Sequence, residues 1–172
     1  MGARRLRALL EEPPSCPSPA SLTLRKGRDA LASITPDSGA PLSMIFGIGT
    51  DIVQLARIEK IYERHGQRFA EHLLMAEEEP AFAAAGRRAV RFLAMRFAAK
   101  EAIVKAMGTG FAHGMWIRDC GVVPNALGKP EIVWSERGDK IRRELGIGEG
   151  HISLTDEAGL VVAVAVLMRR TG

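Results

Sequence analysis

The sequence is short of aromatic residues, 5% of 172 positions. That is too few for a base-stacking nucleic-acid platform. It has two cysteines, Cys16 and Cys120, which make neither a disulfide framework nor a metal cluster. A reducing cytoplasm is the expected setting. His65, His72, His113 and His151 are scattered without zinc-ligand spacing. The longest apolar run toward the C-terminus, 160–168, has nine residues, too few to cross a bilayer as a helix. Neither a nucleic acid nor a membrane is therefore an expected partner.

Several familiar motifs are also missing. Gly47–Ile48–Gly49 opens like a dinucleotide fingerprint, but Ile52 stands where the third glycine belongs. Gly121 and Gly128–Lys129 hint at a phosphate loop, yet six residues separate the glycines and Pro130 replaces the Ser or Thr. There is no Gly-x-Ser-x-Gly nucleophile elbow.

What is present is an ordinary globular balance, 47% apolar and 26% charged, at a length that suits one domain. The chain nonetheless divides in two. Residues 1–43 hold six of the nine prolines and show no lasting helical or strand period, so they are expected to stay disordered. They lack the apolar stretch of a secretory signal, and Leu6 stands where myristoylation wants Ser or Thr. Glu11 and Glu12 count against a transit peptide. The plain expectation is an over-extended gene start, with translation beginning at Met44. The leader carries six basic and four acidic residues, the remainder 18 and 16. The body is nearly balanced, so basicity argues little for DNA binding.

Residues 44–172 read as a single α+β domain. Strands are expected at 44–50, 116–123, 131–134, 151–155 and 160–168, with 156–159 turning a hairpin between the last two. Helices are expected at 54–63, 68–79 (stopping at Pro80), 87–107 and 135–145, the last capped by Ser135. The longest places Val90, Leu93, Ala94, Phe97, Ala98, Glu101, Val104 and Lys105 on or near one stripe, and glycines 108 and 110 end it. Trp116 and Trp134 are expected in the core.

Two carboxylates stand out. Asp51 follows the first strand directly and could simply cap the next helix. Glu101 lies mid-helix on the apolar side, where acids seldom go without a partner; an i,i+4 surface pair with Lys105 would explain it. Together they suggest more. Two oxygen ligands on separate elements are a common way to hold Mg²⁺, which takes its other ligands from water and substrate phosphates. Lys105, one turn beyond Glu101, could reach the same phosphate, whereas Arg96 points only loosely that way. Metal-assisted attack on a phosphate or pyrophosphate is the chemistry suggested.

Residues 44–53, MIFGIGTDIV, resemble the opening of the holo-(acyl-carrier-protein) synthases, the short bacterial type of 4′-phosphopantetheinyl transferase. Residues 96–106, RFAAKEAIVKA, resemble their second signature. Segments 108–111, 116–119, 125–130 and 151–155 also fit, in family order. The resemblance covers about residues 44–170. It implies the family's fold, a small antiparallel sheet packed with a long central helix and shorter helices. It also implies an activity: transfer of the 4′-phosphopantetheine arm of coenzyme A to a serine of apo-acyl carrier protein. The by-product is adenosine 3′,5′-bisphosphate, and the process supported is fatty acid biosynthesis. Mg²⁺ as cofactor and a homotrimer with sites between subunits are implied as well.

Residue by residue, the resemblance gives Asp51 and Glu101 as metal ligands. Glu101, or a water it helps polarise, would take the serine proton. Lys105 would stabilise the departing phosphate. Arg57 and Arg68 match positions that meet the carrier protein, with Lys60 and Arg64 between them on what reads as one helix. Acyl carrier proteins are acidic, so the encounter would be steered by charge; interleaved Glu59 and Glu63 also fit a merely solvated face. Many relatives have histidine where Asp156 stands, and an aspartate there would repel the 3′-phosphate of coenzyme A. Ser153 and Thr155 can still donate hydrogen bonds to it. Two other classes remain open on the residues alone: a non-catalytic module that binds an acidic partner, and a metal-dependent pyrophosphatase.

Overall fold

The computed structural model describes residues 44–112 and 114–171. The leader 1–43, Cys16 and His113 lie outside the described residues. The sheet has five strands in the order β1-β5-β4-β3-β2. They are β1 (Ile45–Gln54), β2 (Cys120–Pro124), β3 (Pro130–Trp134), β4 (Ile147–Glu157) and β5 (Leu160–Arg169). Every pairing is antiparallel. The helices among the described residues are α1 (Leu55–His65), α2 (Gln67–Leu73), α3 (Glu79–Ala83), α4 (Ala89–Met107) and α5 (Glu136–Glu144). None is long and apolar enough to cross a membrane. The α+β expectation stands, with the long helix packed on the sheet.

Helix α4 is the spine. Leu93, Ala94, Phe97, Ala98, Ala99, Ala102, Ile103 and Val104 are all buried, so its middle is enclosed on nearly every side, as an element at the centre of a domain must be. Small residues on the helix and on β1 let the two come very close. A Cβ placed on Gly47 would stand 2.1 Å from the Ala106 carbonyl oxygen, and one on Gly49 would stand 2.0 Å from that of Ala102. Only glycine fits there.

The strand period of two sorts the sheet into two faces. Gly49, Ala165 and Ile152 share a rung, as do Asp51, Ala163 and Leu154, and Val53, Val161 and Asp156. This set faces α4 and contains the buried Val53, Ala163, Ala165 and Val161. The alternate rungs are Ile48, Val166, His151; Thr50, Val164, Ser153; and Ile52, Val162, Thr155. On that face Ile48 is 60% and Ile52 65% exposed.

Several boundaries differ from expectation. Strand β1 continues through Asp51 to Gln54, so Asp51 lies inside the strand and is not the cap of α1. That position belongs to Gln54, which makes no side-chain cap. The helix expected at 68–79 ends at Leu73, and Pro80 sits in the first turn of α3, where its missing N–H costs nothing. No strand forms at 116–119. The Asp119 carboxylate accepts from the Trp116 N–H at 2.6 Å while the Asp119 N–H donates back to the Trp116 carbonyl at 2.9 Å, which closes a turn and delays β2 to Cys120. Trp116 is 46% exposed, not core, and stacks under the Arg137 guanidinium at 3.8 Å. The hairpin turn is as expected: Ala158 (φ 50) and Gly159 (φ 78) are both left-handed, the signature of a type I′ turn. Ser135 caps α5, accepting from the Gly138 N–H at 3.0 Å.

Replacing Gly49 by alanine must push β1 off α4. Overpacking of this kind costs about 1–3 kcal/mol. Urea unfolding should show the loss, and a midpoint equal to wild type would contradict the close contact.

Candidate functional site

Asp51 is brought to α4 by the glycine contact. Its Oδ1 lies 2.7 Å from the Lys105 Nζ, and the same ammonium donates to the Thr50 carbonyl at 3.0 Å. Lys105 therefore spans from helix to strand. Its side chain is 49% exposed and that of Asp51 13%, so the pair sits at the rim of the core and is screened; such pairs are worth about 0–1 kcal/mol. Glu101, half-buried, is one helical turn before Lys105. Asp51 on β1 thus pairs with a lysine one helical turn beyond the other expected acid.

Among the described residues no three His, Cys, Asp or Glu side chains gather into a metal cage. Two carboxylates alone suit Mg²⁺, which keeps several waters and completes its shell with substrate phosphates. The Asp51 carboxylate already holds a cation, the Lys105 ammonium. The donor set is thus compatible with a hard cation delivered together with a diphosphate.

Other expected residues fall elsewhere. Ser153 and Thr155 are exposed on the opposite sheet face from Asp51. Within one chain they do not border the carboxylate site. Arg57 and Arg68 do not share a helix. Gly66, at φ 51 and ψ −136, takes a backbone shape that side chains avoid and separates α1 from α2. Arg57, Lys60 and Arg64 are exposed on α1, and Arg68 is exposed on α2. Asp156 is not a bare negative charge. The Arg91 guanidinium grips it with two hydrogen bonds, Nε to Oδ2 at 2.7 Å and Nη2 to Oδ1 at 2.5 Å. That hydrogen bonding holds the Asp156 carboxyl below its usual range and raises Arg91.

Arg96 does not face the phosphate site. It is buried, with its Nε 3.3 Å from Glu78 Oε1, and burial lowers its pKa while Glu78 raises it. The Lys100 Nζ, fully buried, lies 2.8 Å from Glu78 Oε2. The Glu78 carboxylate also accepts from the Met75 and Val122 N–H groups at 2.9 and 3.0 Å. Sequence reading missed this cluster, because Glu78 is hidden in the run Glu77–Glu78–Glu79 and nothing local marks the middle acid as buried. The Cys120 thiol next to it is pushed up to about 12, chiefly by burial, so it is inert rather than nucleophilic.

The fold defines a class, and comparison with known proteins agrees. Residues 47–165 match the family described as the 4′-phosphopantetheinyl transferase superfamily, to which the chain belongs. A holo-[acyl-carrier-protein] synthase of Neisseria meningitidis serogroup A is 46% identical over 123 residues, which is 72% of this chain and 98% of that one. The crystal structure of a Neisseria meningitidis holo-[acyl-carrier-protein] synthase superposes with a TM-score of 0.69 at 44% identity, over 73% of this chain and 100% of that one. A Bacillus anthracis holo-(acyl-carrier-protein) synthase in complex with CoA (3′,5′-ADP) superposes with a TM-score of 0.61 at 34% identity, over 74% of this chain and 99% of that one.

Proposed function

We propose that this chain transfers the 4′-phosphopantetheine group of coenzyme A to a serine of apo-acyl carrier protein, releasing adenosine 3′,5′-bisphosphate, in support of fatty acid biosynthesis. The observation that carries the reading is the Asp51–Lys105 pair bridging β1 and α4 on the helix face that also presents Glu101. A pure binding module has no need of the two acids, and a metal-dependent pyrophosphatase would release phosphate without a carrier protein. A cytoplasmic setting suits this chemistry.

Asp51 and Glu101 would hold Mg²⁺, which when bound supplies a Lewis acid that neutralises charge on the diphosphate. Lys105 places a point positive charge beside Asp51, where it stabilises the phosphate that leaves. Glu101, or a water it polarises, takes the proton from the attacking serine hydroxyl. The serine oxygen forms the new phosphorus–oxygen bond as the bond to adenosine 3′,5′-bisphosphate breaks.

The open sheet face supports an assembly of copies, for which the family resemblance implies a homotrimer. Ile48, Ile52 and Val164 form a contiguous apolar patch on it, and such patches mark interaction surfaces. Ser153 and Thr155 lie on the same face. In an assembly built on it they would border a neighbouring subunit's carboxylate site and could donate to coenzyme A there. The exposed Arg57 and Arg68 would meet the acidic carrier protein.

Four outcomes test these points. Incubated with apo-acyl carrier protein, coenzyme A and Mg²⁺, the protein should add the mass of one phosphopantetheine. Asp51→Ala and Glu101→Ala should each lower that rate by about a hundredfold or more with folding intact; near-wild-type turnover in either would remove the metal assignment. Arg57→Glu should raise the carrier-protein KM several-fold and flatten its salt dependence, whereas an unchanged slope would leave α1 as a solvated face. Ile52→Glu should turn a trimer into monomers in native mass spectrometry. A wild-type protein that is already monomeric at assay concentration would end the trimer proposal.

A further inference from the structure

We propose that Glu78 is a positioning residue for transfer: through Lys100 it sets the rotation of α4, and so the place of Glu101. The inference rests on reading Glu101 as an acid of the transfer site. Lysine is almost never fully buried unless paired, and Lys100 is 0% exposed, as is its partner Glu78. The Glu78 carboxylate is fixed from elsewhere. It accepts from the Met75 N–H in the turn before the 3₁₀ segment Ala76–Glu78 and from the Val122 N–H of β2. Gly121 walls it in, since a Cβ there would come within 2.7 Å of the Met75 Sδ and 3.0 Å of the Glu78 Cδ. The carboxylate is thus a fixed post, and α4 is tied to it by Lys100 and, one turn earlier, by Arg96.

Lys100 and Glu101 are consecutive, so they point about 100° apart around one rigid helix. Any roll of α4 that relaxes the first moves the second. At a side-chain radius of about 5–6 Å, a roll of about 10° shifts the Glu101 carboxylate by about 1 Å, and misplacement on that scale can cost about a hundredfold in rate. Stability alone does not call for the charge on this pair: apolar side chains of equal volume often serve the interior as well as an ion pair does, and the two N–H groups need only an acceptor. Its placement next to the site acid is what a positioning role requires. The glycine contact with β1 fixes α4 on one side, and this ion pair fixes it on the other.

The test is calorimetric titration of Mg²⁺ into the enzyme–coenzyme A complex, together with transfer kinetics and thermal melting. Glu78→Gln with Lys100→Met leaves that pair neutral at nearly constant volume. Glu78→Asp keeps the charge but withdraws it by one methylene and serves if the double variant does not fold. In whichever is folded, Mg²⁺ should bind about tenfold or more weakly, and kcat should fall in step while the carrier-protein KM stays put. Wild-type Mg²⁺ affinity in a folded variant would overturn the proposal and leave the cluster a purely structural one. Glu101→Gln is titrated in parallel. If that variant keeps wild-type Mg²⁺ affinity, the reading of Glu101 itself falls, independently of Glu78.

Discussion

One steric constraint governs this molecule: the backbone of β1 lies against the backbone of α4 with no side chain between them. Gly47 and Gly49 permit it, and the carbonyls of Ala106 and Ala102 occupy the space where their side chains would be. Strand alternation then decides the rest. If 47 and 49 face the helix, so does 51, and an aspartate two residues beyond the closest contact arrives beside Lys105. Helix periodicity places Glu101 one turn away on the same element. Packing thus brings Asp51 to α4 without an intervening loop.

The same alternation explains why the expected site residues separate. Positions 151, 153 and 155 of β4 register with 166, 164 and 162 of β5 and then with 48, 50 and 52 of β1, all on the face that α4 does not cover. That face mixes the polar Thr50, His151, Ser153 and Thr155 with the exposed Ile48, Ile52 and Val164. Lys100 and Glu78 supply the remaining restraint from within the interior.

Much of this was legible in the sequence where a local rule speaks for itself. The length of α4 followed from its stripe and its glycine stop, and the hairpin from four turn-forming residues. What was hidden depends on contacts distant in sequence. Pro80 read as a stop because a proline at a first helical turn and one after a last turn look alike until the partner segment is known. Residues 116–119 read as a strand because the Asp119 carboxylate, which closes the turn, also binds the Ser135 hydroxyl at 2.8 Å. Glu78 could not be told from its two acidic neighbours, since its burial depends on β2 and α4. Asp156 looked like an uncompensated charge because Arg91, its partner, is 65 residues away.

The central claim is that Asp51 and Glu101 act on a single cation at the β1–α4 junction. The most direct measurement is a crystal structure of the protein with coenzyme A and Mn²⁺, with the ion located by its anomalous scattering. The account predicts one peak in contact with carboxylate oxygens of both Asp51 and Glu101 and with the diphosphate. A peak ligated by neither acid, or by one of them far from the diphosphate, would contradict it.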